Sequence, residues 1–160
     1  MLQKDFENIL DVLKLMKELE LIVAELYRTC GQCWIDEKEF WMKMEQSEMK
    51  HAQHIDRLIQ IMLERPQAFE LGHSFRRPAV QVFISGLKAY IPRLKKNEIP
   101  KEKMLFIARD IEQSILESKY GEIIRTNDIE FQDLIRQIVL DTTTHKDSLN
   151  KKLGEKKGEK

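Results

Sequence analysis

Glu48 and His51 stand three residues apart in a stretch with helical periodicity, and this pair is the strongest chemical signal in the chain. Side chains three residues apart leave a helix on the same face, so the carboxylate and the imidazole are expected to be neighbours. Glu20 and Glu112 interrupt the apolar stripes of two other helical stretches, and His145 lies in a further one. Acids and histidines that point into a helical bundle are typical of a carboxylate-bridged metal site.

Four long amphipathic helices are predicted from apolar residues that recur at steps of three and four. The stripe around Glu48, for example, contains Trp41, Met44, Ile55 and Leu58. The helices are expected at about residues 4–29, 37–64, 100–125 and 129–149, with a shorter helix that starts at Pro78 and covers 80–94.

Two of the links between the long helices are short. In the first, Asp36 and Glu39 have the spacing of an N-cap and its capping-box partner. The last link contains Asn127 and Asp128, which are typical of a turn and a helix cap. Short links favour antiparallel neighbours, so each is expected to join a helical hairpin.

A long connection separates the two hairpins. The residue before Pro66 is disfavoured in a helix, residues 66–77 look irregular, and Pro92 is expected to kink or end the short helix. The sequence therefore predicts an all-α fold, a ferritin-like four-helix bundle over residues 1–150 whose long crossover contains a short extra helix. The charged segment 151–160 is expected to be a disordered tail.

Composition excludes several classes of protein. The 160 residues suffice for one domain with a real core, and the low content of glycine (6) and proline (4) favours helices over a sandwich or barrel. The formal net charge is zero, so no nucleic-acid partner is expected. No apolar run is long enough to span a bilayer and no signal peptide is evident, so a cytoplasmic protein with no membrane partner is expected.

The positions of the acids predict that they lie level with one another. Glu20 and Glu48 are symmetric about residue 34, inside the first link, and Glu112 and Thr142 are symmetric about residue 127, inside the last. Residues equally far from the turn of an antiparallel hairpin face each other, so all four positions are expected in one layer of the bundle. Glu45 and His54 lie one turn away and are expected to face solvent or to contact the ligands from outside.

The chain resembles the rubrerythrin branch of the ferritin-like superfamily. The resemblance rests on Glu20 with Tyr27 seven residues later, and on Glu45-x-x-Glu48-x-x-His51. It covers about residues 5–150 and is weaker in the second half. The resemblance implies two metal ions, of which iron is expected and Mn or Zn is an alternative. The implied ligands are Glu20, Glu48, His51, Glu112 and His145.

The same resemblance implies further properties. Tyr27 becomes a candidate catalytic residue, although a plain core tyrosine is the alternative. The rubredoxin-like cysteine module of full rubrerythrins is absent, so a separate electron-donor protein is implied. A homodimer is expected, with Trp34, Trp41 and Met42 as candidate contact surface.

Two departures from the family pattern affect the second half of the site. Thr142 stands where a second glutamate is expected, and Lys119, next to Tyr120, stands where a tyrosine is expected. Asp141, four residues before His145, is a candidate substitute ligand. The second metal position is therefore expected to be the weaker one.

Cys30 and Cys33 form an isolated C-x-x-C pair. A thioredoxin-like dithiol needs a βαβ setting and a four-cysteine metal site needs a second pair, and the sequence shows neither. Two structural thiols at a helix end, or a redox-active or metal-touching pair, are the remaining interpretations.

Three functions are consistent with the sequence. The first is a di-metal oxidoreductase that acts on O2 or peroxide, or an iron-handling protein. The second is a vestigial or non-catalytic metal-binding module. The third is a metal-free interaction protein that uses Trp34, Trp41 and methionine-rich faces.

Overall fold

The computed structural model describes residues 3–72, 76–118 and 120–158, which form an all-α protein with one small β-ribbon. The helices are α1 (Gln3–Cys33), α2 (Lys38–Glu64), α3 (Arg77–Lys95), α4 (Lys101–Glu117), α5 (Tyr120–Ile123) and α6 (Ile129–Gly158). The strands are β1 (Phe69–Leu71) and β2 (Ile124–Thr126), and short 3-10 turns cover Ile35–Glu37 and Pro66–Ala68. Within these described ranges, no helix combines the length and the apolar character that crossing a membrane requires.

The core lies where the apolar stripes of the long helices meet. α1 packs against α2 and α3, α4 packs against α6, and α2 also contacts α6. Tyr27, Trp41, Met62, Leu105 and Ile138 are fully buried in this core. The helical periodicity of the sequence therefore has its physical cause in burial of one face of each helix.

The first helix is longer and its link shorter than expected. α1 continues through Cys33, because the buried Cys30 extends its apolar face and the Trp34 amide still bonds to the Cys30 carbonyl at 3.0 Å. The expected capping box is wrong. The N-cap position of α2 is Glu37, and no cap bond from its side chain is found in this part of the structure. Asp36 instead accepts a hydrogen bond from Lys101 at the start of α4.

The ribbon is a second difference, because residues 66–77 were expected to be irregular and the third long helix was expected to reach Arg125. α4 ends at Glu117, where the Ser118 amide bonds to the carbonyls of Ser114 and Ile115. β1 and β2 then pair antiparallel, with Phe69 opposite Thr126 and Leu71 opposite Ile124.

Pro92 was expected to kink or end the short helix, and it does not end it. α3 continues to Lys95, since Ile91 and Leu94 on either side of the proline are both buried. Burial of these side chains offsets the backbone hydrogen bond that a proline inside a helix removes.

The expected disordered tail at 151–160 is helical to Gly158. Leu153 follows the buried Leu149 by one turn and is only 5% exposed, so it extends the apolar stripe of α6. Lys152 lies 4.5 Å from the centre of the Phe40 ring and 3.5 Å from Glu37 Oε1. These contacts tie the last helical turns to the beginning of α2.

Contacts at both ends relate the two halves of the chain. Lys101 Nζ, at the start of α4, lies 3.5 Å from Glu37 Oε1, just before α2. At the other end, Arg65 after α2 lies 2.6 Å from Asp128 Oδ2 before α6. Asp128 also accepts a hydrogen bond from the Phe131 amide at 3.0 Å, which makes it the expected helix cap.

Candidate metal centre

Four helices place titratable side chains on their buried faces. Glu20 from α1, Glu48 and His51 from α2, and Glu112 from α4 are all fully buried, and His145 from α6 is 8% exposed. Each lies on the apolar stripe of its helix, so packing of the stripes carries these polar groups into the core. The structure thus brings together five of the side chains that the sequence singled out.

Glu20, Glu48 and His51 form the first triad. His51 Nδ1 lies 3.5 Å from Glu20 Oε2 and 3.4 Å from Glu48 Oε2. All three side chains come from the α1–α2 hairpin. Their meeting follows from the equal distances of Glu20 and Glu48 from its turn.

Glu48, Glu112 and His145 form the second triad. His145 Nδ1 lies 2.8 Å from Glu48 Oε1 and 3.6 Å from Glu112 Oε2. One carboxylate oxygen of Glu48 therefore belongs to the first triad and the other belongs to the second. The rings of His51 and His145 stack with their centres 5.8 Å apart.

Most polar atoms of the two triads lack aligned hydrogen bonds to any part of the chain that the structure describes. This holds for Glu20 Oε1 and Oε2, Glu48 Oε1 and Oε2, Glu112 Oε2, His51 Nδ1 and His145 Nδ1. These atoms lie close together and point into the same space, but they do not form aligned hydrogen bonds with one another. Unsatisfied buried carboxylates are costly, and a cation satisfies several of them at once. Each triad can hold a metal ion, since its ligand atoms lie within 4.8 Å of one another.

Electrostatics within the cluster supports the same conclusion. Burial, with the nearby charge of Glu48, raises the pKa of Glu20 well above its usual value, and the same two causes raise the pKa of Glu112 to about 7. Burial opposes the charged form of the histidines, but the acids around them raise the pKa of His51 to about 11 and that of His145 to about 10. When no cation is bound, protons on the histidines and acids of the cluster therefore supply the positive charge that balances the buried carboxylates.

Asp141 lies on the far side of His51 from the first triad. Its Oδ2 is 3.2 Å from His51 Nε2, and its side chain is 32% exposed. This position orients the imidazole rather than meeting Glu20 or Glu48. Thr142 is buried, but its hydroxyl donates to the Ile138 carbonyl at 2.8 Å and adds no charge to the cluster.

Two tyrosines lie near the Glu/His cluster. Tyr27 donates a hydrogen bond to Glu112 Oε1, and its ring centre lies 5.5 Å from that of Trp41. Tyr120 is buried, and its hydroxyl has no hydrogen-bond partner within the described chain. Burial and the charges of the three acids of the cluster raise its pKa well above the usual value. Sequence reasoning did not single out Tyr120 as a site residue, although it stands one position from the expected tyrosine.

The other residues considered from sequence lie outside the cluster. Glu45 accepts a hydrogen bond from Arg28 Nε at 2.8 Å, which places it on the outside of the α1–α2 hairpin. Burial raises the pKa of the Cys30 thiol, and Cys33 Sγ lies 3.4 Å from the Leu94 carbonyl to which it donates. Neither thiol joins a triad.

Comparison of the chain with models of known protein families, with curated proteins and with solved structures gives no match. The function is therefore inferred from the geometry and burial of the two triads, which share Glu48.

Proposed function

We propose that this protein holds two metal ions, preferably iron, in a ferritin-like four-helix bundle and uses them to reduce O2 or peroxide. One observation carries the proposal: Glu48 directs one carboxylate oxygen to each of two buried triads. A carboxylate in that position can bridge two ions, whereas a single structural ion needs only one triad.

The five proposed ligands would be divided between two metal positions. Glu20 and His51 would hold the first ion, Glu112 and His145 would hold the second, and Glu48 would lie between them. Carboxylate and imidazole ligands suit Fe, and also Mn or Zn. When bound, a pair of ferrous ions supplies the two electrons that the reduction of a peroxide needs.

The protein's own side chains prepare this centre. The hydrogen bond from Tyr27 fixes the orientation of the Glu112 carboxylate, and Asp141 orients His51. Full burial of the three glutamates keeps bulk water away and strengthens their attraction for a cation. Tyr27 is the candidate catalytic residue, because its hydroxyl donates a hydrogen bond to the carboxylate of Glu112, a proposed ligand.

Contacts between the two halves support the ferritin-like course of the chain. Lys101 places the start of α4 beside the start of α2, and β1, which follows α2, pairs with β2, which follows α4. These contacts favour parallel α2 and α4, joined by the connection that contains α3. That order of helices is the one that a long crossover produces in ferritin-like bundles.

The proposal is tested by loading the purified chain with ferrous iron without oxygen, desalting it and counting iron per chain. We expect between one and two ions per chain for the parent, because the second position is the weaker one, and His51→Ala should lose most of them. His54→Ala is the matched control, because His54 lies one turn away on α2 and belongs to neither triad. Retention of full iron by His51→Ala in the presence of a chelator would refute the ligand set.

A non-catalytic metal-binding protein is the second candidate, and Thr142 is the observation that favours it. A buried threonine bonded to its own helix supplies no charge where a bridging acid would complete the centre. Consumption of hydrogen peroxide by the ferrous-loaded protein distinguishes the two functions. Iron binding without consumption of either O2 or peroxide would establish the second.

We also propose a homodimer that receives electrons from a separate protein. Trp41 is wrong as a contact residue, because it is fully buried between Tyr27, Trp34 and Phe40. Met42 is 43% exposed and stays a candidate for the contact surface. Light scattering at micromolar concentration tests the dimer, and a monomeric mass would contradict it.

A further inference from the structure

Three aromatic side chains connect the Glu/His cluster with the surface of the protein. The ring centre of Tyr27 lies 5.5 Å from that of Trp41, and the ring centre of Trp41 lies 6.3 Å from that of Trp34. Both separations are those of aromatic rings in direct contact. We call Tyr27, Trp41 and Trp34 the aromatic relay.

One end of the aromatic relay lies at a proposed metal ligand and the other at the surface. Tyr27 and Trp41 are fully buried, and the Tyr27 hydroxyl donates a hydrogen bond to Glu112 Oε1. Trp34 directly follows the last residue of α1 and is half-buried. The relay is therefore a path of successive ring contacts that leads from solvent to the side chain of Glu112.

The three rings are of the kinds that can lose and regain an electron. Indole and phenol rings are oxidised by one electron far more easily than the phenyl ring of phenylalanine. Phe40 also packs against Trp41, with the ring centres 5.1 Å apart, but it cannot carry an electron for this reason. The path from the cluster to the surface thus consists only of rings that can take part in one-electron chemistry.

The surroundings of Trp41 favour transfer of an electron over storage of a radical. Its Nε1 is buried and finds no hydrogen-bond partner among the residues that the structure describes. Buried donors are normally paired, and the indole N–H is the atom from which an oxidised tryptophan loses its proton. Without an acceptor at Nε1, oxidised Trp41 keeps its proton and returns to its resting form by taking an electron from a neighbouring ring.

We propose that the aromatic relay carries single electrons from a donor at Trp34 to Tyr27, and that Tyr27 passes them to a peroxide at the cluster. The inference rests on the proposed peroxide reduction and names the route of its second electron. Reduction of hydrogen peroxide takes two electrons, but a centre whose weaker second position is empty contains a single ferrous ion. Tyr27 supplies the electron that is then lacking.

The electrons and protons of this step balance. The O–O bond of hydrogen peroxide breaks, one electron comes from the ferrous ion, which becomes ferric, the second comes from Tyr27, and two protons from solvent complete two waters. As Tyr27 loses its electron, its phenolic proton passes along the existing hydrogen bond to Glu112 Oε1. An electron from Trp41 and the return of that proton restore Tyr27. Trp34 then restores Trp41, and a one-electron donor at the surface restores Trp34.

The first experiment drives the aromatic relay from its surface end in the metal-free full chain. Ruthenium(III) tris-bipyridine, generated in solution by a laser flash, oxidises accessible aromatic side chains, and EPR detects tyrosyl radicals. Tyr90→Phe serves as the background, because the chain has 3 tyrosines and the other two, Tyr27 and Tyr120, are buried. We expect a tyrosyl radical that Tyr27→Phe abolishes and Tyr120→Phe leaves unchanged. Absence of a tyrosyl radical in the background variant would overturn the proposal.

Substitutions along the relay test its path in the same background. Trp34→Phe keeps an aromatic ring at the surface but should remove most of the tyrosyl signal, and Trp41→Phe should do the same. Phe40→Leu is the matched control, since Phe40 touches Trp41 as Trp34 does but carries no electron, so the signal should stay unchanged. A full signal in Trp34→Phe, or an equal loss in Phe40→Leu, would overturn the proposal.

A peroxide experiment separates this inference from the function on which it rests. After loading with one ferrous ion per chain, hydrogen peroxide should produce a transient radical at Tyr27, and Trp34→Phe should lengthen its lifetime because the path to the surface is interrupted. Consumption of peroxide without any tyrosyl radical would overturn the role of the relay. If the parent consumes no peroxide, the proposed function fails, and the flash experiment still decides whether the relay carries electrons.

Discussion

His51 presents its two ring nitrogens to carboxylates on opposite sides: Nε2 lies 3.2 Å from Asp141 Oδ2, and Nδ1 lies 3.4 Å from Glu48 Oε2. A carboxylate beside Nε2 favours the tautomer that carries its hydrogen there. When a metal ion displaces the proton on Nδ1, the lone pair of Nδ1 is directed at the first triad. Asp141 is thus a positioning residue that acts through His51.

Replacement of Asp141 by alanine should weaken iron binding about 10- to 100-fold, because His51 loses the partner that fixes its tautomer and orientation. Asp141→Asn should restore part of the affinity, since an amide oxygen still accepts from Nε2–H. Competition with a chelator of known affinity measures both. If asparagine is as damaging as alanine, the charge of Asp141 acts on the metal directly, and the positioning role is wrong.

Glu48 and Glu112 should differ in how many ions they hold. Glu48→Gln removes a charge from both triads and is expected to leave less than one iron per chain, whereas Glu112→Gln affects only the second triad and should leave about one. Both substitutions preserve the shape of the side chain. Metal analysis after identical anaerobic loading provides the measurement, and equal losses in the two variants would contradict a shared ligand.

The second metal position, beside Thr142, should bind iron more weakly than the first. Thr142→Glu places a carboxylate three residues before His145 and should raise the iron bound per chain. Thr143→Glu is the matched control, since Thr143 is exposed and its hydroxyl bonds to the Val139 carbonyl in the same way. Equal iron in the parent and Thr142→Glu would reject the expectation of a weak second position.

Iron affinity should fall as pH falls. His51 and His145, with pKa values of about 11 and 10, hold protons that a metal ion must displace at neutral pH. Below about 7, the pKa of Glu112, that carboxyl is protonated too, so binding releases a further proton. Chelator competition across pH 5 to 8 should show a steady gain in affinity toward the alkaline end. Affinity that is independent of pH would show that the ligands are already deprotonated.

The last turns of α6 should contribute to stability. Leu153→Ala removes a buried leucine and should lower the free energy of unfolding by about 2 kcal/mol or more. Lys151→Ala, an exposed position in the same turn, should change it by less than about 0.5 kcal/mol. Urea denaturation of the two variants tests whether the helix beyond residue 150 packs as described.

Periodicity explains what could be predicted from the sequence. Glu20 and Glu48 meet because they lie equally far from the short link that joins two regular helices. The number of residues between each acid and the link is therefore enough to predict that the two side chains lie level. The role of these residues as metal ligands stays a prediction. Asp141 could not be placed in this way, because a short side chain at the edge of a stripe turns toward whichever neighbour lies closest, and that neighbour belongs to another helix.

The features that were missed depend on contacts between distant parts of the chain. Tyr120 reaches the cluster only because α4 ends at Glu117 and a new helix begins at Tyr120, and no periodic pattern spans that break. β1 and β2 are three residues each, too short for an alternating pattern to be read. Leu153 was overlooked because a single leucine among lysines does not outweigh the polar composition of its surroundings.

Glu48 belongs to both triads, but the two triads can form at different stages of synthesis of the chain. The first triad is complete once the chain has been made as far as His51, and it needs only one local hairpin in register. The second triad joins Glu48 to His145, so it exists only after a much longer loop has closed, at a larger cost in chain entropy than the first. A nascent chain can therefore offer a cation its first binding position well before the residues of the other have left the ribosome.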